Sequence, residues 1–219
     1  ARLCSIGQGQ KLQLNKALNP ELVLNGHDVI PNDIAWDQST HVIIISGPNT
    51  GGKTVTLKTV GLMTLMVRAG LFLPVDKGSY IPFYPEVYAD IGDEQSLELS
   101  LSTFSAHIKK IIHIMNHAAS GALILLDELG IATDPQEGAS LAEAMLRELN
   151  DKGVTTLVST HYMQLKLLAQ TRSGFLNACT EFDSKSQAPT YRLIFGVPGH
   201  SAAIDIAEQL GLHVRITEL

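Results

Sequence analysis

Three stretches of the chain, at 41–46 (HVIIIS), 122–127 (ALILLD) and 155–160 (TTLVST), run apolar through their centres with no alternation of polar positions. A strand with one wet face alternates, whereas a strand covered on both faces does not, so these three predict buried, parallel strands. Between them the period lengthens to that of a helix. Residues 54–69 read as one helix. Phe104, Ile108, Ile111, Ile112 and Met115 form an i, i+4, i+7, i+8, i+11 stripe. Leu141, Ala142, Met145, Leu146 and Leu149 mark a third helix over 138–150, with Lys152-Gly153 as its stop. Strands alternating with helices predict an α/β fold with a mainly parallel central sheet and flanking helices.

The ends of the chain have a different rhythm. Residues 1–40 read as short antiparallel strands with turns at Asn19-Pro20, Asn25-Gly26 and Pro31-Asn32. Near the other end, 175–182 and 190–195 flank a polar loop and predict a hairpin, followed by a short helix at 201–210. No internal repeat or low-complexity tract interrupts the pattern. The expected organisation is an N-terminal antiparallel part (1–40), a core (41–200) and a C-terminal helical segment (201–219) that looks cut short.

Composition narrows the class. With 219 residues, 45% hydrophobic and 17% charged, the chain is long enough for a sizeable core and too apolar for disorder. No apolar run approaches the ~20 residues of a membrane span, so no membrane partner is expected. The first residues, ARLCSIGQGQK, lack a signal-peptide core and begin with Ala, as an excised or processed piece would. Cys4 and Cys179 are too few for a disulfide or metal framework, which makes a reducing cytoplasm the expected location. The balance of 16 basic against 22 acidic residues, −6 overall, argues against a global nucleic-acid footprint. A nucleic-acid partner would need a local patch or another domain.

The candidate chemistry sits where the first buried strand meets its helix. Gly47-Pro48-Asn49-Thr50-Gly51-Gly52-Lys53-Thr54 fits G-x-x-x-x-G-K-[ST]. Glycines let the backbone curl until several N–H groups point into one concavity, and the helix behind adds its positive end. Lys53 would reach the β- and γ-phosphates of a nucleoside triphosphate, and the Thr54 hydroxyl would ligate Mg²⁺. This predicts a P-loop nucleotide site. The second strand ends in Asp127-Glu128; the aspartate would hold the metal through its water shell and the glutamate would orient or activate water. The third ends in Ser159-Thr160-His161, which puts a histidine on the ligand edge of the sheet.

GPNTGGKT, DIGDEQSLELSLSTFSAHI, LLDELGIATDPQEGASLAEAML and VSTHY, in this order, resemble the ATPase domain of the MutS family, with Asn49 and the triplet Ser102-Thr103-Phe104 as its distinguishing marks among ABC-like ATPases. GDEQS and TDPQEG are most similar to the bacterial MutS-II branch, which acts outside mismatch correction and usually carries an Smr domain. The segment YRLIFGVPGHSAAIDIAEQLGL resembles the close of that domain and its helical dimer contact, so the resemblance covers residues 29–212. It implies a P-loop NTPase of ABC-like type, hydrolysing ATP with Mg²⁺ and dimerising on ATP. Asn49, Lys53 and Thr54 would bind phosphates and Mg²⁺, Asp127 would be the metal-side acid, and Glu128 would activate water. His161 would sense the γ-phosphate. Ser102 would be offered across a homodimer to the partner's ATP, and Asp134 would lie in the loop crossing that interface. Val29 and Ile30 stand where the family often stacks an aromatic on adenine, which implies an aliphatic base contact. Ala132 replaces the second glycine of the family's DE-x-G-x-G-T. The family's mismatch-reading wedge and clamp have no counterpart, so branched or mismatched DNA, or a ribosome, would be engaged through domains absent from this chain.

Other signals carry less. His113 and His117 have the i, i+4 spacing of a zinc pair, but Ile114 follows where a zinc protease has Glu, and solvated histidines are the plainer reading. Lys109-Lys110 reads as an ordinary helix-surface pair. Glu94 and Gln95 fit either an approach to the γ-phosphate or a simple polar loop. Met63, Met66 and Met115 read as core. Against an ATPase motor stand an ATP-dependent dimerisation switch with little hydrolysis, which turnover would separate, and a P-loop small-molecule kinase, which needs an arginine-rich lid. An ABC transporter subunit is disfavoured because no LSGGQ-like signature precedes Asp127.

Overall fold

The computed structural model describes residues 5–7, 11–92, 101–130, 134–183, 186 and 188–199. In chain order the elements are β1 (Ser5–Gly7), β2 (Leu12–Ala17), α1 (Pro20–Leu24), β3 (Asn32–Trp36), β4 (Val42–Ser46), α2 (Lys53–Arg68), β5 (Tyr80–Pro82), β6 (Val87–Asp90) and α3 (Leu101–His117). There follow β7 (Leu123–Leu126), α4 (Pro135–Asp151), β8 (Thr155–Ser159), α5 (Met163–Thr171), β9 (Phe175–Asp183) and β10 (Ala188–Phe195).

Six strands form the central sheet in the order β10-β9-β4-β8-β7-β6, parallel except for the β9–β10 hairpin. The non-alternating runs are explained by two cores. Ile43 and Ile45 of β4 pack with Leu57, Val60 and Met63 of α2 and with the small sheet's Leu12, Leu14 and Ile34. Val42 and Ile44 face the other way, onto Ile111 and Ile114 of α3, Leu146 and Leu149 of α4 and Leu165 of α5. All five residues of β4 are buried, as a strand covered on both faces must be. Gly61 lets α2 lie close on β7, since a Cβ there would come within 2.6 Å of Leu125 Cδ1.

The second sheet has the order β1-β5-β2-β3, with β2 antiparallel to both of its neighbours and β1 parallel to β5. Its strand β5 lies between α2 and β6 in the chain, so the small sheet is not built from the N-terminal segment alone.

Several expectations are corrected. Asn19-Pro20 opens a helix instead of a turn: the Asn19 side chain accepts from Leu22 N at 3.0 Å and Pro20 takes the first helical position. Asn32 begins β3 directly after Pro31. Lys109 and Lys110 are exposed on α3 as expected, and Lys110 Nζ in addition lies 2.6 Å from Asp90 Oδ1. The strands β5 and β6 and the helix α5 were not foreseen; the two strands are only three and four residues long. The expected hairpin is present, with an irregular register between Pro189 and Leu193. Glu94, Gln95, Ala132 and the helix expected at 201–210 lie outside the described residues, as does the side chain of Ser102.

Candidate functional site

Because β4, β7 and β8 run parallel, their C-terminal ends meet at one edge of the sheet, where an open α/β fold takes its ligands. The loop after β4 turns through one 3-10 turn (Asn49–Gly51) into α2. Gly47 and Gly52 have φ of 131° and 92°, which favour glycine. Space demands it too. A Cβ on Gly47 would lie 2.2 Å from Thr180 Oγ1, and one on Gly51 would lie 2.3 Å from the same atom. Gly199 also presses on the loop, where its own Cβ would stand 2.9 Å from Gly47 N. Gly199 is held there by two bonds: its N–H donates to Ser46 Oγ at 2.8 Å, and its carbonyl accepts from the buried Lys166 Nζ at 2.8 Å.

Lys53, the first residue of α2, is 2% exposed. Its ammonium donates to Gly47 O at 2.9 Å, Pro48 O at 3.1 Å and Asn49 Oδ1 at 3.1 Å. Burial lowers its pKa, while Glu128 and Asp127 pull the other way. Beside it Thr54 Oγ1 donates to Asp127 Oδ2 at 2.6 Å, joining the start of α2 to the end of β7. His161 Nε2 lies 3.5 Å from both Lys53 Nζ and Glu128 Oε1. Burial, and then the charge of Lys53, hold the imidazole below its ordinary value despite Glu128. The ring is therefore neutral near pH 7, and its tautomer decides whether Nε2 accepts from the lysine or donates to the carboxylate. Glu128 has a φ of 52°, unusual for a residue with a side chain.

Lys53, Thr54, Asp127, Glu128 and His161, chosen from sequence, thus converge. Asp134 is the N-cap of α4, accepting from Gln136 N and Glu137 N. Ser102 falls in the first turn of α3. His113 and His117 stack with ring centroids 4.1 Å apart, and no group of three metal-ligating side chains occurs among the described residues.

Next to Gly52 opens a pocket of about 320 Å³, walled by Val29, Ile30, Val55, Thr56, Thr59 and Tyr191. Val29 and Ile30, which the resemblance set against the base, share this pocket with Tyr191, to which the sequence drew no attention. That residue has a φ of 58° and its ring stands 3.6 Å from where a Gly52 Cβ would be. Asn32 fixes it there: the amide Nδ2 donates to Tyr191 O at 2.9 Å, and Oδ1 accepts from Leu193 N at 2.7 Å. Nothing local in T-Y-R signals this, because it depends on a register irregularity between strands.

The donor chemistry fits a magnesium nucleotide. Thr54 and Asp127 offer hard oxygens side by side, the choice of a small divalent cation. The loop is a cradle that Cβ atoms would fill, backed by a buried lysine.

The fold and this edge define a mixed α/β domain with a glycine-lined strand-to-helix loop facing two acidic residues. A family model described as MutS domain V matches residues 43–218, and the chain belongs to the MutS family as its ATPase domain. Among curated proteins it is 53% identical over 190 residues to "Endonuclease MutS2" of Geobacillus sp. strain WCH70, covering 87% of this chain and 24% of that protein. It is 50% identical over 208 residues to the protein of the same name from Caldicellulosiruptor bescii, covering 95% and 26%. With that of Lactobacillus helveticus it shares 50% over 211 residues, covering 96% and 27%. The chain spans about a quarter of the length of these relatives.

Proposed function

We propose that this domain binds ATP with Mg²⁺ in the glycine loop and hydrolyses it to ADP and phosphate, acting as the motor of a MutS-II-type protein. The observation that carries the reading is the convergence of Lys53, Thr54, Asp127, Glu128 and His161 at one sheet edge. When bound, Mg²⁺ would act as a Lewis acid that offsets the charge developing on the phosphate. Thr54 and Asp127 would hold it, trading their mutual hydrogen bond for metal and water contacts. Lys53 would exchange its three loop acceptors for phosphate oxygens, a change that α2's positive end favours. Glu128 would accept a proton from, or orient, the attacking water, and a neutral His161 beside it would respond to the γ-phosphate. Adenine would occupy the pocket between Ile30 and Tyr191.

In this reading ATP draws two copies together, with Ser102 at the start of α3 reaching the partner's nucleotide, and hydrolysis releases them. The work is done on DNA, or on a ribosome, by parts of the whole protein outside this domain. Steady-state hydrolysis and nucleotide binding test the core claim. Lys53→Ala should weaken ATP binding or turnover severely. Glu128→Gln should retain binding while hydrolysis falls by roughly 10²–10⁴-fold, the usual worth of a positioned base. Unchanged hydrolysis in both variants sinks the reading.

A further inference from the structure

The two acidic residues share one hydrogen-bonding partner, Ser159, to which the family resemblance assigns no role. Ser159 closes β8 and is completely buried. The β7–β8 ladder pairs Leu125 with Leu157 and Leu126 with Val158, so one more step of the same register sets Ser159 beside Asp127. There its hydroxyl uses both of its capacities. It accepts from the backbone N–H of Glu128 at 2.9 Å and donates to Asp127 Oδ1. Asp127 Oδ2 is engaged separately, by Thr54 at 2.6 Å. Glu128 meanwhile stands in the left-handed region, which a residue with a Cβ occupies only when its surroundings over-determine it.

We propose that Ser159 is a positioning residue for hydrolysis: one hydroxyl sets the orientation of the Asp127 carboxylate and holds Glu128 in the backbone conformation that aims its carboxylate at His161. The inference rests on the ATPase reading above. Without the hydroxyl, Glu128 loses an acceptor for its N–H and relaxes toward negative φ, which swings its side chain away from Nε2. Asp127 keeps only the Thr54 contact and turns more freely. Neither change removes a hydrogen bond of the glycine loop or of Lys53, so turnover should suffer more than nucleotide affinity.

The test compares Ser159→Ala and Ser159→Thr in the 219-residue chain. For Ser159→Ala we expect kcat to fall by roughly 10–100-fold, the scale of an ångström of misplacement, with KM for ATP within about threefold. In the nucleotide-free protein, amide hydrogen exchange at Glu128 should accelerate while neighbouring β7 amides stay protected, a readout independent of turnover. Ser159→Thr keeps the hydroxyl and should restore both. If its extra methyl prevents folding at this buried position, Ser159→Cys, a weaker donor and acceptor, should give intermediate values. Wild-type kcat in the alanine variant overturns the proposal. So does a loss shared equally by kcat and binding, or a Glu128 amide whose exchange does not change. If instead Lys53→Ala and Glu128→Gln hydrolyse normally, the ATPase reading itself has failed, which the exchange data distinguish from failure of the serine bridge.

Discussion

At the scale of single residues, His161 gathers the site's electrostatics into one measurable value. Its ring is held below the ordinary imidazole pKa first by burial and then by Lys53, with Glu128 opposing. By NMR titration its midpoint should therefore lie below 6.5. Lys53→Ala should move that midpoint up and Glu128→Gln should move it down; a shift of the opposite sign in either variant contradicts the charge arrangement. The sign for stability follows by linkage. Between the folded midpoint and about 6.5 the unfolded chain binds the proton more readily, so this group's contribution to stability declines as pH falls through that window. Above it the ring is neutral in both states and contributes no pH dependence.

Elements bring in partners that no single motif carries. Gly199 is fastened against the start of the glycine loop by Ser46 and Lys166, next to the backbone of Ser46 and Gly47. Gly199→Ala would press a methyl onto Gly47 N and Ser46 C, neither of which can yield cheaply. Overpacking of this kind costs about 1–3 kcal/mol, and thermal melting should show the loss together with weaker nucleotide binding. Asn32 does comparable work for the pocket beside Gly52, tying β3 to β10. Asn32→Ala should release Tyr191 and weaken ATP several-fold, while affinity for tripolyphosphate, which has no base, stays as it was. Equal losses for both ligands would argue against a base-side role.

These elements also show how far the sequence could be read. The runs at 42–45, 123–126 and 155–159 announced the central sheet because burial on both faces removes alternation. The glycine loop and the carboxylates were legible because their spacing is local. Asn19-Pro20 misled, since a cap and a turn begin with the same residues. The contacts of Tyr191, Ser159 and Thr180 were not legible because they arise from strand register across many residues of chain.

For the molecule as a whole, assembly is the decisive question. If Ser102 serves the partner's nucleotide, ATP bridges two copies and should raise dimer affinity. Sedimentation of the Glu128→Gln chain should show an ATP-dependent dimer that Ser102→Ala weakens; unchanged mass at high concentration with ATP counts against it. With a net charge of −6 the domain has few phosphate partners to offer, so DNA affinity should be on the order of micromolar or weaker at physiological salt. A tight complex in an anisotropy titration would relocate recognition to this chain.

The contact of Gly47 and Gly51 with Thr180 has a bearing on heredity. A bulkier residue at 180 would deform the loop as surely as an alanine at 47, although the codons lie far apart. A saturation library should therefore score 47, 51 and 180 as epistatic, with changes tolerated at 180 only where they free or preserve the space above the loop. Three separate places in the gene would behave as one locus.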